Sequence, residues 1–462
     1  MALDIVIMAA GKGTRMKSAS PKVLHKLAGR SLLQHVRDTA AQLGADGMVI
    51  ITGHGAEQVE AAMQAVAMPA DATMSYVRQM PQLGTGHAVL QAVPALHESG
   101  TTLILNGDTP LIEAATARGL IEASAGEHMA LLTIDLPDPT GYGRIVRTPD
   151  ASRIEAIVEH KDASPAEREI REVYTGVMAV PTAALKRWLA ALKNENAQGE
   201  YYLTDIVSMA VEEGLLVVAT QPDSDTEVLG VNSPAQLADL ERRYQRQRAN
   251  ALMEAGVRLA DPGRFDVRGE LTCGADVEID VNCVFEGVVS LGDNVRIGAN
   301  CVIRDARIEA GAVIHPFTHI EGAVVGAGAL VGPFARLRPG ADLGPEVHIG
   351  NFVEVKNSTM ARGAKANHLA YLGDSTVGER VNFGAGSITA NYDGANKHRT
   401  TIEADVHVGS NCVLIAPITL GQGATIGGGS TLSTDAPPQQ LTIGRARQVS
   451  IPTWKRPVKK AK

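Results

Sequence analysis

Three stretches of this sequence hold residue types that can bind phosphates or move a proton. The first is Met8-Ala-Ala-Gly-Lys-Gly-Thr-Arg-Met16. Gly11 and Gly13 let backbone N–H groups approach a polyphosphate, and Arg15 can neutralise phosphate charge as a bidentate donor. No Lys-Ser/Thr pair closes the stretch, so it is not a P-loop, and it lacks the third glycine of the dinucleotide fingerprint. Pro21-Lys22 follows closely and adds a second cation. The second stretch is Asn106-Gly107-Asp108, directly after the apolar run Thr101–Leu105. An Asp at the carboxyl end of a parallel strand faces the ligand crevice, where it can hold Mg²⁺ beside phosphates. The third is Ala366-Asn-His-Leu-Ala-Tyr371, with His368 at its centre. An imidazole, with an ordinary pKa of about 6.5, suits a general base at neutral pH.

These residues need elements to hold them. Up to about Leu229, apolar strands alternate with helical stretches: Ile5–Ala9, Met48–Thr52, Leu103–Leu105, Leu131–Ile134 and Leu215–Ala219 read as strands, Ser31–Leu43 and Ala56–Ala67 as helices. That alternation predicts an α/β domain with a mostly parallel sheet covered on both faces. A punctuated helix follows, with Ser233 as N-cap, Pro234 at its first position, an apolar stripe of Leu237, Leu240, Tyr244 and Leu252, and Gly256 at its end. It reads as a connecting strut.

The period then becomes six. Ile279, Phe285, Leu291, Ile297 and Ile303 are in phase; so are Val325, Val331, Leu337, Leu343, Ile349 and Val355, and again Ile402, Val408, Leu414, Leu420 and Ile426. Six is neither the helical nor the strand period, and a short internal repeat takes precedence in assigning a fold. One inward apolar side chain per hexad predicts a β-helical prism whose coils hydrogen-bond about 4.8 Å apart. Ile308, Ile314 and Ile320 are out of phase with both flanking runs, so corners should bend there. The intervals Val355–Leu372 and Phe383–Ile402 predict loops bulging at Arg362–Tyr371 and Asn391–Arg399, and loops on a rigid scaffold tend to carry chemistry.

Bulk properties narrow the class. A chain of 462 residues should hold two to three domains. Its net charge of −8 argues against a nucleic-acid binder. No apolar run is long enough to span a bilayer, the start is unlike a signal peptide, and the four cysteines form no CxxC pair. A cytoplasmic protein with free thiols is expected. The chain finishes in a basic tail, Lys455–Lys462.

With GKGTRM, PKVLH, QLGTGHA, DPTGYGRI, IVEHKDA, QGEYYLTDI, GPFARLRPGA, YLGD and NYDGANK in place, the front resembles sugar-nucleotide pyrophosphorylases. Nearly the whole chain resembles the bacterial GlmU family, bifunctional N-acetylglucosamine-1-phosphate uridyltransferases and glucosamine-1-phosphate acetyltransferases. The resemblance implies a Rossmann-like nucleotidyltransferase domain over 1–229, a linker helix over 230–256, and a left-handed parallel β-helix with its tail over 257–462. It implies acetyl transfer from acetyl-CoA to glucosamine 1-phosphate, then uridylyl transfer from UTP to N-acetylglucosamine 1-phosphate with release of pyrophosphate. The product would supply peptidoglycan and lipopolysaccharide synthesis. Met8, Ala9, Ala10 and Gly11 would line the uridine and phosphate pocket with Asn106 and Gly107, while Arg15 and Lys22 face the triphosphate. Gln79, Gln82, Gly84 and Thr85 would read the uracil edge and ribose, Asp108 and Asn232 hold Mg²⁺, and Gly143 and Glu159 contact the sugar. Tyr174 stands where the family has an Asn that contacts the sugar. In the prism, His368 would be the base; Arg338, Lys356, Tyr371 and Asn382 would bind the amino-sugar phosphate. Ala385, Asn391, Tyr392, Ser410, Gly428 and Arg445 would line the acetyl-CoA site, with Gly428 in place of the family's Ala. The family implies a homotrimer with this site between neighbouring prisms, and the tail covering part of another subunit's site. Two other readings use the same residues: a front enzyme with the prism as a trimerisation scaffold, which His368 opposes, and a non-enzymatic binding protein, which intact Arg15, Lys22 and Asp108 oppose.

Overall fold

The computed structural model describes residues 2–66 and 73–459. The chain divides into two compact units, Met1–Tyr244 and Gln245–Lys462. Among the described residues, no helix is long and apolar enough to cross a membrane.

The front unit is built on a nine-stranded sheet whose main path runs Val217–Thr220, Met129–Asp135, Glu172–Pro181, Thr101–Asn106, Leu3–Ala9, Gly47–Thr52, Met74–Arg78. Leu3–Ala9 is central and pairs in parallel with Gly47–Thr52 and Thr101–Asn106. Successive side chains leave opposite faces of a strand, so Ile5 and Ile7 enter one core and Val6 the other. Glu172–Pro181 runs antiparallel to both neighbours and was not legible as a strand; with Val177 and Ala179 in one core and Met178 and Val180 in the other, it shows no polar alternation. The expected helix Ser31–Leu43 is Leu32–Ala41, capped by the Ser31 hydroxyl accepting from the Gln34 amide at 3.2 Å. The second runs Ala56–Gln64; Ala67, its expected end, lies outside the described residues.

The expected connecting helix runs Pro234–Glu254. The Ser233 hydroxyl accepts from the Gln236 amide at 3.3 Å. Leu240, with Leu237 and Tyr244, packs in a front-unit cluster, and Ala249 and Leu252 belong to the core of the back unit.

The back unit is a parallel β-helix. One face is an eleven-stranded sheet, and the other faces join through the long strands Phe265–Cys273, Cys283–Leu291 and Val302–Ile308. Phe285 pairs with Ile303 and Leu337 with Val355, so three hexads make one coil. None of the sixteen phased residues is more than 3% exposed. Leu291 pairs with Ile308, one residue short of the usual interval, which accounts for the phase break there. Cys283, Cys301 and Cys412 are buried free thiols in the stack. Because such an interior cannot collapse around a hole, Leu337→Ala should cost about 2–5 kcal/mol, read as a lowered denaturation midpoint of the back unit's transition.

One expectation fails here. No loop bulges between Val355 and Leu372: the two residues pair directly, so the interval is one coil with a residue fewer, taken up at a corner. His368 ends the strand Lys365–His368, directly over Asn351. The second loop is present. Val377 pairs with Ile402, a full 25 positions on, and the surplus leaves the stack as a hairpin closed by a Tyr392–Lys397 bridge. Of the basic tail, Lys460–Lys462 lie outside the described residues.

Candidate active sites

The front cleft opens where Leu3–Ala9 and Thr101–Asn106 end side by side, the switch-point position where open α/β sheets take ligands. The chain leaves the first strand as an exposed loop. Gly13 has φ 58°, and a Cβ there would stand 2.6 Å from Lys22 Cβ, so glycine lets the loop fold down on Lys22. Gly11 has open space around its Cβ position. Lys22 Nζ forms an ion pair with Asp108 and donates to Asn232 Oδ1 at 3.0 Å. Arg15 is exposed.

Two cavities meet at this point, and Met8, Thr85, Asn106 and Asp108 line both. One adds Ala9, Ala10, Gly11, Lys22, Gln79, Gln82 and Gly84. The other adds Arg15, Gly143, Glu159, Tyr174 and Asn232. The sequence-derived front residues therefore assemble, with one exception. Gly107 lines neither cavity; its amide donates to the Met8 carbonyl at 2.9 Å and ties the two strand ends together. Gln79 is also a brace, since its amide donates to the Gly84 carbonyl at 2.8 Å. Gln82 donates to the Ala10 carbonyl. The second cavity also includes Tyr142 and Thr204, which were not singled out although DPTGYGRI and QGEYYLTDI contain them. Thr204 donates to Glu159 Oε1 at 3.1 Å. Burial pushes the Glu159 carboxyl above its ordinary range, against that hydrogen bond.

The arrangement fits a divalent cation. Asp108 and Asn232 direct two hard oxygens at one positive charge, the Lys22 ammonium. Mg²⁺ is commonly held by one or two protein oxygens plus water and substrate phosphates.

On the prism, His368 is exposed, and its Nδ1 lies 2.9 Å from Asn351 Oδ1. An amide oxygen only accepts, so Nδ1 carries the proton and Nε2 keeps its lone pair. Successive coils stack Asn351, His368 and Ala385 on one corner: Leu369 N–H donates to Asn351 O at 3.0 Å and Gly386 N–H to His368 O at 3.1 Å. The same ladder continues through Asn411 N–H to Ala385 O at 2.8 Å and Gly429 N–H to Ser410 O at 2.7 Å. Arg445 closes it by donating to the Gly428 carbonyl. A Cβ on Gly428 would meet Ser410 O at 3.4 Å, an ordinary contact, so the Gly-for-Ala difference is sterically mild.

Arg338 and Lys356 stack at the next corner of the same face. Arg338 donates to Glu354 Oε1 at 2.9 Å, and Lys356 lies 3.4 Å from Asp374 Oδ2. Asp374 is 6% exposed. Burial raises its pKa, but the amides of Asn357 and Asn391 and the Lys356 ammonium outweigh that and hold it below the ordinary range. Asn391, expected at the acetyl-CoA site, thus stands at this corner and donates to Asp374. Tyr392 is 61% exposed on the inserted hairpin. Tyr371 starts the strand between the two corners. Asn382 is on a different face, paired with Lys365 and His407. Asn351 had no sequence signal and Asp374 none beyond its place in YLGD, because they meet their partners only through the coil register.

Comparison with known proteins agrees with both halves. Residues 5–259 match the MobA-like NTP transferase domain family. Residues 399–434 match the bacterial transferase hexapeptide family, and 274–305 and 288–316 the hexapeptide repeat of succinyl-transferase. Bifunctional protein GlmU of Methylibium petroleiphilum is 76% identical over 460 residues, covering 99% of this chain and 100% of the relative. GlmU of Albidiferax ferrireducens is 68% identical over 466 residues, 99% of this chain and 100% of the relative. The chain belongs to the GlmU family, with a Rossmann-like nucleotidyltransferase domain followed by a left-handed parallel β-helix of hexapeptide repeats.

Proposed function

We infer that this chain is a bifunctional enzyme making UDP-N-acetylglucosamine. It acetylates glucosamine 1-phosphate and then transfers a uridylyl group from UTP to N-acetylglucosamine 1-phosphate, releasing pyrophosphate. One observation carries the reading: a single chain has a front cleft where Lys22, Asp108 and Asn232 converge and a prism corner where His368 presents a free imidazole nitrogen. We assign uridylyl transfer to 1–229, the link to 230–256 and acetyl transfer to 257–462. The reading places the enzyme in the cytoplasm, in keeping with its free thiols.

In the front site, a phosphate oxygen of the sugar phosphate attacks the α-phosphorus of UTP in line, and pyrophosphate leaves. No protein nucleophile takes part. The cavity lined by Ala9–Gly11, Gln79, Gln82 and Gly84 takes the nucleotide, and the one lined by Gly143 and Glu159 takes the sugar. Asp108 and Asn232 would hold Mg²⁺, whose charge offsets that of the phosphates. Arg15, Lys22 and the N–H groups of the glycine loop supply the rest of the positive charge, the usual strategy for phosphoryl-type transfer. Incubation with UTP, Mg²⁺ and N-acetylglucosamine 1-phosphate should release pyrophosphate; none would refute this half.

In the back site, acetyl-CoA lies along the Ala385–Ser410–Gly428–Arg445 corner with its thioester at His368. Nε2 takes the proton from the sugar's amine as the C–N bond forms and the C–S bond breaks, and coenzyme A leaves. Arg338, Lys356 and Tyr371 hold the amino-sugar phosphate, and Asn382, on a different face, joins them only from a neighbouring copy. Removing the amide that fixes the ring, Asn351→Ala, should lower acetyl-transfer kcat/KM about fivefold, the effect of one ordinary hydrogen bond. A thiol-release assay checks this, with pyrophosphate release unchanged.

The active assembly is a homotrimer. His368 and Lys356 flank opposite edges of the face that Tyr371–Gly373 crosses, roughly 10 Å at the rise of a strand, so a neighbouring chain completes the site. Phe317, Phe334 and Phe352 form an exposed ladder at the His368 corner, their rings stacked at 4.9 and 5.4 Å and continued by Leu369. Such an apolar strip favours cover by another copy.

A further inference from the structure

The inserted hairpin leaves the prism at Asn391 and returns at Thr400, and Asp374 holds both ends. The Asn391 side-chain amide donates to Asp374 Oδ2, and the Thr400 N–H donates to the Asp374 carbonyl at 3.2 Å. The preceding coil is tied to the same residue. Asn357 donates to Oδ1 at 2.5 Å, Lys356 Nζ lies 3.4 Å from Oδ2, and the Asp374 N–H donates to the Lys356 carbonyl at 3.1 Å. Its φ of 49° is a conformation that Asp and Asn tolerate better than most side chains. Among the described residues, Asp374 is the only buried carboxylate of the back unit.

Between its two ends the hairpin closes mainly on itself. Asp393 accepts from the Ala395 and Asn396 N–H groups at 2.8 and 2.6 Å and pairs with His398, and Tyr392 donates to the Gly394 carbonyl at 2.6 Å. Arg399 adds one further anchor, donating to the Thr376 hydroxyl at 2.9 Å. Lys397, on the hairpin, faces a like charge: Lys356 pushes its ammonium below the ordinary pKa range, and Asp374 opposes that effect. A buried carboxylate is costly unless it is paired, and here the pairing joins three successive coils. We propose that Asp374 is a positioning residue of the acetyl-transfer site, its carboxylate latching the hairpin that carries Tyr392 to the coil that carries Lys356. One buried charge thereby sets an amino-sugar contact and an acetyl-CoA contact together. This rests on the reading of the prism face as the acetyl-transfer site.

Asp374→Asn keeps the shape and the backbone preference and removes the charge. The KM values for glucosamine 1-phosphate and acetyl-CoA should each rise about tenfold, the loss of one charge-assisted hydrogen bond. The kcat should stay near wild type, because His368 and Asn351 stand at another corner. Trypsin should cut the full-length variant faster after Lys397 and Arg399, with uridylyl transfer unchanged. Asn391→Asp, which sets two carboxylates together, should show the same losses. Combining both changes restores an amide–carboxylate pair and should recover both KM values and the resistance to trypsin. Wild-type KM values and resistance in a folded Asp374→Asn chain would overturn the proposal, as would no recovery in the double variant. If Asp374→Asn does not fold, Asn391→Asp decides by the same two readouts. A wild-type chain that releases no thiol refutes the reading of the site, whereas the trypsin comparison still decides whether Asp374 latches the hairpin.

Discussion

Replacing His368 by alanine is expected to lower acetyl transfer about 10²- to 10⁴-fold, the usual contribution of a positioned general base, while uridylyl transfer continues at the wild-type rate. The expectation rests on the ring's tautomer and on its corner. Asn351 Oδ1 holds the Nδ1 proton, so the lone pair on Nε2 faces outward from an exposed side chain at the end of Lys365–His368. Below it the inward residues Ala366 and Ala370 continue the stack, so loss of the imidazole leaves no hole in the core. The melting temperature should therefore hold while thiol release from acetyl-CoA collapses. If acetyl transfer persists undiminished in a folded His368→Ala chain, another group is the base.

The second large effect is expected at Arg15. Arg15→Ala should lower kcat for uridylyl transfer about 10²- to 10³-fold, the typical loss when one preorganised charge-stabilising donor is removed. Acetyl transfer should be untouched. Arg15 is a cleaner probe than Lys22. Lys22 forms an ion pair with Asp108 and donates to Asn232, so its removal also leaves a half-buried carboxylate uncompensated. The Arg15 side chain is exposed and lines the adjoining cavity with Asp108 and Asn232. Paired measurements of pyrophosphate and thiol release on both variants should give opposite patterns of loss.

Much of this was legible in the sequence for identifiable reasons. Ile279, Val331 and Leu414 declared the prism because each must point inward at a fixed interval, and an inward column tolerates little else. Ser233 and Pro234 marked the strut because helix ends have local chemistry. The glycine loop and Asp108 were visible because each stands directly after a strand. What was missed depends on register and on topology. The interval from Val355 to Leu372 looked like a bulge, but a corner absorbs one residue without disturbing the pairing. The partners of His368 and Lys356, which are Asn351 and Asp374, are set by which coil lies beside which. The antiparallel strand that holds Tyr174 is buried on both faces, so alternation could not reveal it.

The most direct measurement follows both products in one vessel. The full chain is supplied with glucosamine 1-phosphate, acetyl-CoA, UTP and Mg²⁺, and free thiol and pyrophosphate are recorded together. Two sites in one chain predict thiol release first, then pyrophosphate in equal final amount, and little pyrophosphate when acetyl-CoA is omitted. Pyrophosphate released equally well without acetyl-CoA, or without any thiol appearing, would contradict the account.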